Sequence, residues 1–141
     1  MSVLLGYESE PKSIYVMNGD EFRDHVADIL KNNHQNVKTE KYVGIKENGI
    51  RFKADIILRN EMIIIDSKLK NSTGTIEEKV LDKAMHIQYI CDTTTHERGV
   101  IIYGGKENNL KQMRHLEEVI PKMFPKVTVI RFEDDVELKN V

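Results

Sequence analysis

Residues 51–70 read RFKADIILRNEMIIIDSKLK, and the fold turns on how this stretch is parsed. Two β-branched, apolar runs, one closing at Leu58 and the other at Ile65, are joined by the polar segment Arg59-Asn60-Glu61. Such runs, bounded by turn residues, predict the two strands of a hairpin. The second run, Met62-Ile63-Ile64-Ile65, passes directly into Asp66-Ser67-Lys68. A strand this apolar is buried, and burying a carboxylate or an ammonium is costly unless it is paired or bound to a metal. Local folding rules tend to be broken where function sits, which makes Asp66 and Lys68 the first candidates for a site.

Upstream, residues 37–45 alternate weakly and predict a strand, and Glu47-Asn48-Gly49 is a turn signal leading into a second strand over 50–58. With 62–69 as the third strand, the centre of the chain is a three-strand meander. Before it, Asn18 or Asp20 can cap a helix that ends near Asn32-Asn33 and carries Phe22, Val26, Ile29 and Leu30 on one face. Glu21, Asp24 and Asp28 crowd its early turns, where negative charge complements the helix dipole. Residues 1–13 show no sustained period and read as an arm or short edge strand.

Downstream, Asn71-Ser72-Thr73-Gly74-Thr75 breaks the chain before a helix over 76–92 with Ile76, Val80, Ala84, Ile87 and Cys91 on its apolar face. A buried strand over 99–103, a turn at Gly104-Gly105, a helix over 108–124 interrupted by Pro121, a strand over 127–132 and an acidic tail over 133–141 follow. Sequential strands imply antiparallel hairpins, and the later β-α-β alternation implies parallel pairing with a right-handed crossover. The expected architecture is α/β: a mixed central sheet flanked by helices.

The 141 residues, 40% hydrophobic and 31% charged with eight Gly and three Pro, suit one globular domain over 1–141. A formal net charge of −2 gives no global footprint for nucleic acid, so a polyanion would be met by a local basic patch. A metal-dependent nuclease is compatible with that balance, because bound cations offset an acidic site. The single cysteine, Cys91, rules out an internal disulfide framework and suits a reducing, cytoplasmic setting. No basic segment precedes an apolar core at the start of the sequence, and no apolar run approaches the ~20 residues that span a bilayer. Neither secretion nor a membrane partner is expected.

Strand alternation puts Asp66 and Lys68 on one face and Ser67 on the other, with Asp55 on the neighbouring strand of the hairpin. Two carboxylates and an ammonium make a plausible Mg²⁺ site, since this hard cation takes oxygen ligands, often one or two carboxylates plus substrate phosphate. Lys68 could orient or deprotonate a water, or stabilise charge on a pentacovalent phosphorus.

Asp55…Asp66-Ser67-Lys68, on consecutive strands after a helix, resembles the PD-(D/E)XK nuclease superfamily, with its restriction-endonuclease-like αβββαβ core; here an additional helix and strand follow. The resemblance covers residues 18–103. It implies that Asp55 and Asp66 bind metal, that the Ser67 backbone carbonyl is a further ligand, and that Lys68 is the catalytic lysine. Ala54 stands where the motif name has proline. Many members carry a glutamate on the helix before the meander, a place taken here by Glu21, although it precedes rather than follows an aromatic. The stretch Gly74-Thr75-Ile76-Glu77-Glu78-Lys79 is similar to one found after the catalytic strand of some restriction-type enzymes. Lys70, Lys79 and Lys83 could then meet phosphates of the nucleic acid.

The acid-x-Lys triplet recurs at Glu10/Lys12, Glu77/Lys79 and Glu137/Lys139, but only Asp66/Lys68 ends a buried run with another acid on the preceding strand. The five histidines lack helical i, i+4 pairing, and one cysteine cannot build a zinc site. Tyr42, Phe52 and Tyr103 read as core or sheet-face residues rather than a stacking platform for bases. The expected activity is a Mg²⁺-dependent DNA endonuclease, with Mn²⁺ as substitute, acting as a homodimer that cuts duplex in restriction-like or homing-like fashion. Alternatives are a junction resolvase of the same fold, cleavage of RNA, and a non-catalytic nucleic-acid-binding module.

Overall fold

The β-branched runs form a five-stranded sheet in the computed structural model, which describes residues 13–70, 77–106, 110–133, 138 and 141. The strands are β1 (Val37–Ile45), β2 (Arg51–Leu58), β3 (Ile63–Lys70), β4 (Arg98–Gly105) and β5 (Val127–Arg131). They lie side by side in sequence order. The first three pair antiparallel, whereas β3–β4 and β4–β5 are parallel. Three helices complete the α/β fold: α1 (Gly19–Leu30), α2 (Glu77–Thr93) and α3 (Lys111–Met123).

Both faces of the sheet are covered. On one, Phe22, Val26 and Leu30 of α1 pack on Ile56, Leu58, Ile63, Ile65, Val100 and Ile102. On the other, Val80, Ala84 and Ile87 of α2 and Met113 and Ile120 of α3 pack on Phe52, Ala54, Ile64, Ile101 and Tyr103. This double covering is why β3 and β4 read as continuous apolar runs without alternation. Each fully buried isoleucine contributes about 1.5–3 kcal/mol. Among the described residues no helix is long and apolar enough to cross a membrane.

The helix starts follow from capping chemistry. Asn18 Oδ1 accepts the Glu21 N–H at 2.8 Å, and Glu21 Oε1 accepts the Asn18 N–H at 2.9 Å. This capping box satisfies two backbone donors that the first turn leaves over. Pro121 sits in the last turn of α3, which closes when the Phe124 N–H donates to the Ile120 carbonyl at 2.7 Å.

Three expectations shift. Met62 lies in the turn before β3 with φ 59°, and its carbonyl accepts the Glu97 N–H at 2.9 Å. The helix α1 stops at Leu30, two residues early. Gly104-Gly105 is not a turn: β4 runs through both, and Gly105 pairs with Lys70. A Cβ on Gly105, at φ 142°, would stand 2.1 Å from the Lys70 carbonyl oxygen, so glycine serves there for close backbone approach. The expected arm over 1–12, the break over 71–75 with Ile76, the helix start at Asn108 and most of the acidic tail lie outside the described residues.

Candidate functional site

The site is made where two central strands part. Ladder pairing between β2 and β3 comprises Ile56↔Ile65, Ile57↔Ile64 and Leu58↔Ile63 only. Beyond Ile65, β3 stays paired with β4 as far as Lys70↔Gly105. The cause of the parting is legible on β2. Phe52 and Ala54 belong to the α2–α3 side of the core, whereas Ile56 and Leu58, of the same parity, belong to the α1 side. The alternation therefore slips by one step at Asp55. Across from it on β1 stands Glu40, at φ 53° and absent from the ladder between Thr39↔Ile56 and Lys41↔Ala54. A non-glycine residue in that region stores strain, a feature that clusters at functional sites.

Asp55 fills the gap with its side chain. Its Oδ2 accepts the Ser67 N–H at 2.9 Å and the Ser67 hydroxyl at 3.2 Å. In an extended strand the N–H and C=O of one residue leave by the same edge, so the Ser67 carbonyl faces the same gap. Ser67 thus turns its polar groups toward Asp55, while Asp66 and Lys68 follow Ile64 to the α2 side.

Asp66 is 2% exposed. Burial, and then the nearby Asp55 carboxylate, push its pKa up to about 7, against the opposing pull of Lys68 and Lys83. Lys68 Nζ lies 3.2 Å from Asp66 Oδ2, and Lys83 Nζ of α2 lies 3.8 Å from Asp66 Oδ1. The first approach is of ion-pair length but lacks hydrogen-bond alignment, and Oδ2 has no hydrogen-bond partner among the described residues. Lys83 also sits 5.1 Å over the Phe52 ring, which holds the ammonium by its attraction to the π face. A carboxylate with one orphaned oxygen, a second carboxylate beside it and two ammonium groups are unusual contents for a sheet interior.

No family model matches the chain, nor does any curated protein or solved structure.

The donor set suits a hard cation. Asp55, Asp66 and the Ser67 carbonyl supply oxygen only, and Asp66 Oδ2, ion-paired with Lys68, accepts no hydrogen bond among the described residues. Among the described residues no cluster of three or more His, Cys, Asp or Glu side chains forms a fuller cage. Mg²⁺ commonly takes only one or two protein carboxylates, and Mn²⁺ accepts the same oxygens.

The remaining candidates fall elsewhere. Glu21 closes the capping box of α1, on the helix that covers the opposite face of the sheet from Asp66. Lys70 is 9% exposed, and its ammonium pairs with Glu77, tying β3 to the first turn of α2. Lys79 is exposed, one helical turn before Lys83. Lys83 was legible only as a helix-face cation, since its approach to Asp66 depends on how α2 docks. Cys91 is buried, and burial pushes its thiol up to about 11, so it is no activated nucleophile.

Proposed function

We propose that this chain is a Mg²⁺-dependent DNA endonuclease of the PD-(D/E)XK type. The observation that carries the proposal is Asp66: a buried carboxylate directly after the apolar run Ile63-Ile64-Ile65 of β3, beside Asp55, with Lys68 3.2 Å from an oxygen that accepts no hydrogen bond among the described residues. The element order supports the same reading, since a helix, three antiparallel strands, a helix and a parallel strand follow the αβββαβ order that family has, with α3 and β5 added.

In this assignment Asp55, Asp66 and the Ser67 carbonyl hold the ion. When bound, Mg²⁺ supplies Lewis-acid charge against the phosphodiester and acidifies a nearby water. The Ser67 N–H and hydroxyl fix the Asp55 carboxylate, so that one of its oxygens keeps a set direction. The Lys68 ammonium, 3.2 Å from Asp66 Oδ2, would be the positive charge next to a phosphate held at this site. There it offers positive charge to the developing phosphorane and orients the attacking water. Water adds to phosphorus and gives up a proton to solvent, the bond to the leaving deoxyribose oxygen breaks as that oxygen takes a proton from solvent, and no covalent enzyme intermediate is required. A symmetric dimer would set two such sites against the two strands of a duplex, in the restriction-like or homing-like manner.

The test is cleavage of supercoiled and linear DNA in Mg²⁺, beside an EDTA control and the Asp66→Ala variant. Cutting that needs Mg²⁺ and is lost in both controls is the expected result. No cutting of duplex, junction or single-stranded DNA in Mg²⁺ or Mn²⁺ overturns the proposal.

A further inference from the structure

On the β1–β2 hairpin an aromatic ring lies open to solvent under two cations. Tyr42 is 53% exposed. The Arg51 guanidinium carbon lies 4.0 Å from its ring centroid and Lys53 Nζ lies 5.8 Å from it. Tyr42 pairs across the ladder with Lys53, and Ile45, also exposed, pairs with Arg51, so these four side chains share one face. Among the described residues neither Arg51 nor Lys53 is held in an ion pair, while the nearest acid along β1, Glu40, is bound by Arg23 at 2.7 Å. As a hairpin device alone, an exposed cation–π contact is worth only about 0.5–1 kcal/mol. Two uncommitted cations on an exposed aromatic, in a chain of net negative charge, form a local polyanion footprint.

The footprint adjoins the site along the chain: Lys53 is two residues from Asp55 on β2, on the face of the hairpin opposite Phe52 and Asp66. Arginine guanidinium planes and exposed aromatic rings both take up unstacked bases.

Resting on the nuclease assignment above, we infer that Tyr42, Arg51 and Lys53 bind an unpaired nucleotide of the substrate. Arg51 and Tyr42 stack on its base and Lys53 meets its phosphate. The substrate class is therefore DNA that offers an unpaired nucleotide, such as gapped, branched or locally opened duplex.

The experiment measures binding in EDTA, so that no strand is cut, by anisotropy of a single strand, a gapped duplex and an unbroken duplex. Tyr42→Ala is expected to weaken binding of the first two on the order of ten- to a hundredfold. Unbroken duplex should be barely affected, and Tyr42→Phe, which keeps the ring, should retain binding. A base carrying iodine in the gap should photocrosslink to the peptide that contains Tyr42. Thermal melts verify that both variants fold, and Tyr89→Ala, an exposed tyrosine on α2, serves as the control. If wild type binds and cuts DNA while Tyr42→Ala matches it on every probe, the inference fails and the nuclease assignment stands. If wild type neither binds nor cuts any DNA, both fail. If Tyr42→Ala alters the sedimenting mass instead of DNA binding, the face is a contact between copies and the inference is overturned.

Discussion

Replacing Asp66 by Asn should stabilise the metal-free protein, and by an amount that depends on pH. The carboxylate has an ordinary pKa of 3.8 and is raised to about 7 in the folded chain, chiefly by burial. Between those values the folded state holds a proton that the unfolded state has released, so stability falls as pH rises. At roughly 1.36 kcal/mol per pH unit, the shift removes up to about 4 kcal/mol by pH 8, about half a kcal/mol at pH 4, and almost nothing below about pH 3. Asparagine is neutral throughout, like the protonated acid, and so escapes the loss. Urea unfolding in EDTA at successive pH values should give nearly equal stabilities at about pH 3 and a gap that widens to about pH 7, then levels. Added Mg²⁺ at pH 8 should restore wild type by about 2.7 kcal/mol at a hundredfold excess over its Kd, and leave Asp66→Asn unmoved. Below pH 7 protons compete for Asp66, so Mg²⁺ affinity should drop by about tenfold per unit. Parallel pH profiles for the two proteins would refute the account of Asp66 as a buried carboxylate ionised at a cost.

Other consequences are simpler to check. Lys68→Met should lower single-turnover cleavage by about a hundredfold or more while Mg²⁺ still raises the melting temperature, because the metal ligands remain. Gly105→Ala should cost about 2 kcal/mol or more in chemical unfolding, since its Cβ would stand 2.1 Å from the Lys70 carbonyl. Asn18→Ala removes half of the capping box and should cost about 1 kcal/mol by the same measurement. Cys91 should resist iodoacetamide in the folded protein at pH 8 and react readily in urea, as its thiol is buried and raised to about 11.

Much of the sheet was legible because its signals are local. Runs of Ile and Leu between turn residues locate β2 and β3 to within a residue, and Asn18 is one of the two caps the sequence offers for α1. The misplacement of Asp66 was equally plain: a charge after four apolar residues needs no structure to be noticed. Gly104-Gly105 misled because paired glycines mark turns and also mark close strand contacts. Only the second applies here, and the deciding neighbour, Lys70, lies far away in sequence.

What the chain order alone determined is the set of elements, their antiparallel-then-parallel pairing and the grouping of Asp55, Asp66 and Lys68, since each depends on periodicity and on short connections. Tertiary structure decided the rest. The slip of alternation at Asp55, the early end of the β2–β3 ladder and the approach of Lys83 to Asp66 depend on how strands twist and how α2 docks. The exposure of Tyr42 is of the same kind. Its alternation is that of any sheet residue, and whether a helix covers it is settled by packing, which covers Phe52 on one face of the hairpin and leaves Tyr42 in water on the other.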